Sequence, residues 1–227
     1  MSKGFALVLL PRLGLSLFFF FFAVSIFFYS GGTINDPNTV GYSFSRNFFS
    51  DLGIFDKDNM ISVIFFALAL MICGATFTIY YYNFLSFFTN KTFNHTIGRF
   101  GCLVGVLGAV FFIIVGFTPH NYVFDPHVFV VKWAFRCFLI TSICFTYVFF
   151  KDDRFSTQYG IGYILFAIFI LFYILIMEFG PDPNSGKDFD LIFNVISQKI
   201  IVLIFALSIL FQSFENSKLV SKYFNNH

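Results

Sequence analysis

Six apolar stretches, at residues 13–29, 60–83, 98–117, 127–150, 159–179 and 191–211, are the feature that most narrows what this sequence can become. Each has about the 17–25 residues that carry a helix across roughly 30 Å of hydrocarbon. Inside that layer no water meets backbone N–H and C=O groups, so a spanning segment of this length closes its hydrogen bonds internally as a helix. Composition agrees. Only 11% of the residues are charged and 58% are hydrophobic, whereas a soluble domain carries about a quarter charged residues. Lipid is therefore the expected solvent. The expected fold class is all-α, a polytopic membrane protein of six transmembrane helices forming one domain over residues 1–227. The first stretch, though preceded by Lys3 and Arg12, exceeds the 7–15 apolar residues of a signal peptide and lacks a clear cleavage site, so it is kept as a helix.

The basic residues set the expected orientation. Lys3 and Arg12 precede the first stretch, Lys91 and Arg99 edge the loop after the second, Lys151 and Arg154 follow the fourth, and Lys218 and Lys222 follow the last. The alternate loops hold Arg46, Lys57 and Lys187. Both termini are thus expected in the cytoplasm. The formal net charge of +2, with no basic run, points away from nucleic acid. The four cysteines (Cys73, Cys102, Cys137 and Cys144) fall in apolar stretches with no Cys-x-x-Cys, as expected of packing residues. In the third stretch Gly98, Gly101, Gly105 and Gly108 fall on one face, a seam for close helix packing.

One connection is long. Residues 30–59 far exceed the usual 4–6, and Tyr42, Phe44, Phe48, Phe49 and Leu52 give this loop apolar anchors. An ordered cap on the non-cytoplasmic end is expected, carrying Arg46, Ser50 and Asp51. Other ionisable groups lie at membrane depth nearby. Lys132 and Arg136 share a face of the fourth helix, roughly 7 and 13 Å in from His127. The sixth helix brings Gln198 and Lys199, and the fifth ends at Glu178. Three unpaired cations facing lipid would cost roughly 8–10 kcal/mol, so they are expected to face inward toward carboxylates or water, with Asp51 and Glu178 as the candidate partners. This cluster reads either as a structural ion-pair network or as a polar pocket for an anionic lipid or small molecule.

His120 follows Thr118-Pro119 and His127 opens the fourth helix, with Asp125 between. His-x6-His is not a diagnostic zinc spacing, and His227 is terminal, so helix-capping or interfacial roles are expected. Metal and cofactor are both set at none, and no hydrolase, metalloprotease or phosphate-loop motif is present.

The segment Asn47-Phe48-Phe49-Ser50-Asp51-Leu52-Gly53 resembles the Ser-Asp-Leu-Gly signature of the six-helix membrane family catalogued as domain of unknown function 998. Val115-Gly116-Phe117-Thr118-Pro119, His127 and Gln198-Lys199 are similar to further motifs of that family, with Thr118 as an extra residue and Lys in place of Arg. The Frag1/DRAM/Sfk1 group has a similar layout and is the second choice. The resemblance implies the six-helix fold and carries no activity. The expected function is a non-catalytic membrane protein with an outward polar site for an anionic lipid or small molecule, with the bilayer itself as the other partner. A small-solute transporter and a lipid-modifying enzyme using His120, His127 and Asp51 are the alternatives.

Overall fold

The computed structural model describes residues 1–33 and 36–223; His227 and residues 34–35 of the long loop lie outside them. The apolar stretches form α1 (Leu10–Phe27), α2 (Met60–Phe84), α3 (Phe93–Val115), α4 (Phe124–Lys151), α5 (Thr157–Phe179) and α6 (Asp188–Tyr223). All six are long and apolar enough to cross a membrane. Among the described residues there is no strand, and a single bridge pairs Gly31 with Val40. Large apolar side chains stay exposed on the flanks of the bundle, among them Phe20, Ile64, Leu103, Ile143, Phe172 and Leu203. In water that surface would be untenable; in hydrocarbon it is the expected one.

Helix ends differ from the expected spans for local reasons. A π-helical turn, Phe5–Leu9, runs without a break into α1, and Pro11 in the first turn of α1 has no N–H to give the Leu7 carbonyl four residues back, which bonds Asn216 instead. The third and fifth helices start earlier because side chains cap them. Thr92 Oγ1 accepts from His95 N at 3.4 Å, and Ser156 Oγ accepts from Tyr159 N at 3.1 Å. The fourth begins at Phe124 with Pro126 in its first turn, so His127 lies inside the helix. The largest correction is α6, which runs on from 211 to Tyr223. Its last turns bury Gln212, Ser213, Glu215, Asn216, Leu219 and Val220, so tertiary contacts hold this polar stretch helical.

Consecutive helices pack side by side, and α6 returns to α1. Ser213 Oγ donates to Val8 O at 3.0 Å and Asn216 Nδ2 to Leu7 O at 3.1 Å. Both ends of the described chain therefore meet at one end of the bundle, with the 30–59 loop at the other. Phe205 of α6 fills the middle, against Phe77, Phe112, Phe138 and Phe166 from four other helices, with ring centroids 5.1–5.7 Å away. The glycine face is shared between two partners. A Cβ at Gly101 would lie 2.9 Å from Cys144 Cβ and one at Gly108 3.0 Å from Cys137 Cβ, both on α4, whereas Gly105 faces the Tyr81 ring of α2. The bare backbone also lets Thr141 Oγ1 donate to Gly101 O at 3.0 Å.

Candidate functional site

The long loop is fastened over its end of the bundle by polar groups from several elements. Asn59 accepts from Ser30 N and Oγ at 2.9 and 2.7 Å, and Ser62 Oγ donates to Leu52 O at 3.1 Å. Leu52 is fully buried, and the absent side chain of Gly53 makes room for the Phe66 ring. From α6, Gln198 Oε1 accepts from Phe49 N at 2.7 Å and Lys199 Nζ donates to Asn47 O at 2.6 Å. The same ammonium lies 4.1 Å from the Phe49 ring centre, with Tyr42 and Phe44 further out. Such faces attract a cation where water is scarce. At the rim Arg46 makes two 2.8 Å bonds to Asp188, both groups exposed. The loop is thus a lid tied to both α2 and α6.

Under the lid Asp51 is buried. It accepts from Asn47 Nδ2 at 3.2 Å and Phe48 N at 2.9 Å, and its Oδ1 lies 3.4 Å from His120 Nε2. Burial pushes the Asp51 carboxyl up to about 7, although Asn47, the Phe48 N–H and Lys199 pull it down. Burial, then the neighbouring His127, holds the His120 imidazole down at about 4, against the pull of the Ser50 backbone. Between those values the carboxyl keeps its proton and the imidazole stays neutral. His120 is therefore the buried partner of Asp51 and not the helix cap or interfacial group expected for it. Its Nδ1 is sealed in without a hydrogen-bond partner.

These values have a testable sign. An unfolded Asp51 loses its proton near 4 while the folded one keeps it to about 7, so rising pH favours the unfolded chain across that window. The melting temperature of Asp51→Asn, a mimic of the protonated acid, is expected to gain on wild type from pH 4.5 to pH 7 and to hold level above. A gap independent of pH would show that the buried carboxyl is ionised throughout.

The remaining expected groups divide. Lys132 Nζ and Arg136 Nη2 both bond Glu178, at 3.1 and 2.7 Å, and Arg136 lies over Trp133. Of the two carboxylates expected as partners they meet Glu178, and about 33% of the Arg136 side chain and 28% of the Lys132 side chain stay exposed. Glu178 is next to the last residue of α5, so the trio sits at the bundle rim, level with that helix end. Asp51 is a partner to neither, and Lys199 finds a carbonyl and rings instead of a direct carboxylate contact.

Between lid and helices lies a cavity of about 310 Å³. Phe18, Phe22, Phe66, Phe112, Val131 and Val202 form its apolar wall. Arg46, Ser50, Asp51, His120, His127, Lys132 and Gln198 supply its polar lining, whereas Arg136, Glu178 and Lys199 stand behind it. With Arg46 matched by Asp188, three cations (Lys132, Arg136 and Lys199) face Glu178 and an Asp51 that is uncharged below about 7. Counted together, these groups in and around the cavity carry an excess of positive charge whichever form Asp51 takes. Among the described residues no group of three His, Cys, Asp or Glu could hold a metal ion.

Sequence reasoning passed over two things here. Asn47 fastens both Asp51 and Lys199, and its place in the loop motif was the available signal. A second buried polar group lies at the terminal end, where Asn216 Oδ1 accepts from Tyr159 OH at 2.9 Å, its Nδ2 donates to Tyr80 OH at 3.0 Å, and Tyr163 OH donates to Gln212 at 2.8 Å. The 212/216 spacing places both α6 residues on one face, but the apolar span ended at 211 and hid them.

A bundle of six apolar, membrane-length helices with its surface hydrophobes turned outward is a multi-pass membrane protein. The family described as "Protein of unknown function (DUF998)" matches residues 22–215, and the chain belongs to that family. No curated protein and no solved structure matches the chain.

Proposed function

We propose that the chain is a membrane protein whose lidded cavity binds or senses an anionic amphiphile, lipid or small molecule, on the non-cytoplasmic side. The observation that carries this reading is the join of an apolar chamber to a polar end with an excess of cations in and around it. Hydrocarbon fits the phenylalanine wall, and a negative head group is drawn to Lys132 and the excess charge behind it. The excess of Lys and Arg at the terminal end supports the stated orientation.

A path through the bundle has less support. The aromatic layer around Phe205 separates the cavity from the polar group at Asn216, and among the described residues no continuous polar lining joins them.

The test is lipid capture. Wild-type protein purified in mild detergent is expected to retain an anionic amphiphile by native mass spectrometry. Lys132→Leu, which leaves the Arg136–Glu178 pair in place, is expected to lower that retention roughly tenfold, about the worth of one charge-assisted contact. Unchanged retention in a folded Lys132→Leu protein, or no anionic species with wild type, would sink the reading.

A further inference from the structure

His127 has a fixed orientation. Its Nδ1 lies 2.6 Å from Thr118 O, and a carbonyl only accepts, so Nδ1 carries the proton. Among the described residues no carboxylate lies within ion-pair distance of this ring. A buried imidazole without such a counter-charge is neutral at neutral pH. Nε2 therefore presents a lone pair. That atom has no hydrogen-bond partner among the described residues, and unlike Nδ1 of His120 it is not sealed off from a water-sized probe. The residue is 6% exposed and lines the cavity.

A fixed, unpartnered acceptor facing the cavity asks for a donor. Lys132, the donor for an anion, is five residues further along the same helix, about 7.5 Å of rise. Ser50, whose hydroxyl can donate or accept, lines the same chamber. The lining thus provides for two different groups, one negative and one carrying O–H.

We propose that the ligand carries a hydroxyl donor beside its anion: a polyol phosphodiester of the glycerophosphate type, its hydroxyl donating to His127 Nε2 and its phosphate facing Lys132. This rests on the anionic-amphiphile reading and specifies its head group. His127 is then a specificity residue, because an anion without a hydroxyl leaves Nε2 without its donor when water is displaced.

The experiment compares dioleoyl-phosphatidylglycerol with dioleoyl-phosphatidylethanol, which has the same tails and charge and lacks the head-group hydroxyls, on the full chain in detergent by native mass spectrometry. Wild type is expected to prefer the first by about tenfold, the worth of a hydrogen bond to an otherwise orphaned acceptor. In His127→Leu the preference is expected to fall within about twofold while phosphatidylethanol still binds, which also shows that the variant is folded. Competition by sn-glycerol 3-phosphate identifies the source: displacement at comparable concentration supports a soluble polyol phosphate, and its failure supports the lipid. Equal binding of the two lipids by wild type, or a preference that survives in His127→Leu, overturns the hydroxyl assignment and leaves the anionic-amphiphile reading standing. Binding of neither lipid nor glycerol phosphate overturns both.

Discussion

Glu178→Leu is expected to lower the stability of the folded bundle by ~2–4 kcal/mol, the range for stranding charge that a single partner had compensated. Lys132 and Arg136 both end on this carboxylate, so one substitution leaves two cations unmatched across the α4–α5 seam. The lower part of the wider range for a broken buried pair applies because roughly a third of each cation remains exposed and can find head-group or water oxygen. The effect is one of mismatch, and it should reverse. The triple variant Lys132→Leu/Arg136→Leu/Glu178→Leu is expected to recover most of the loss, since an apolar trio of similar size is at home in hydrocarbon. Thermal unfolding in detergent followed by circular dichroism measures both. A Glu178→Leu protein as stable as wild type would mean that the trio is a surface ornament and that the two cations are solvated independently.

Asn216→Leu is the second large effect, with an expected loss of ~2–4 kcal/mol. The residue is fully buried and its amide joins three elements: Leu7 O before α1, Tyr80 OH on α2 and Tyr159 OH on α5. Leucine removes every one of these bonds and strands the Leu7 carbonyl without water to replace its donor. Tyr80 and Tyr159 keep the 3.1 Å contact between their hydroxyls, which limits the damage. Asn216→Asp is a useful companion, because it retains the acceptor for Tyr159 while losing the donor to Leu7 and Tyr80. The expected order of melting temperature in detergent is wild type, then Asp, then Leu at acidic pH, where the acid can be protonated. If Asn216→Leu melts with wild type, the α6 extension owes its helicity to the apolar contacts of Leu219 and Val220 alone.

The two polar centres sit at opposite ends of α6, at Gln198–Lys199 and at Gln212–Asn216, with Phe205 between them. This helix fastens the lid, plugs the centre and closes the ring against α1. A change that displaces α6 along its axis would therefore disturb the lid and the terminal contacts together. The rim contact of the lid made of two exposed charges, Arg46–Asp188, is worth little by itself. Closure depends instead on Phe49 N, Asn47 O and the rings around Lys199.

What could be read from the residues alone is what the solvent dictates. Segments of seventeen or more apolar residues cannot leave their backbone unbonded in lipid, so the number of helices, their approximate places and the membrane environment follow from length and hydropathy. The glycines of α3 announce close packing because a missing Cβ has the same consequence beside any neighbour. Which neighbour meets each glycine depends on helix rotation, and here the face is divided between α2 and α4. The charges obey the same division. That Lys132 and Arg136 need a counter-charge follows from electrostatics, but the sharing of Glu178 at the rim, the turn of Asp51 toward His120 and the capture of Lys199 by three rings and a carbonyl 152 positions away in the chain depend on distances only the fold sets. The polar end of α6 makes the point most sharply: a stretch this short is marginal as an isolated helix, and burial against α1, α2 and α5 supplies the stability that its local preferences lack.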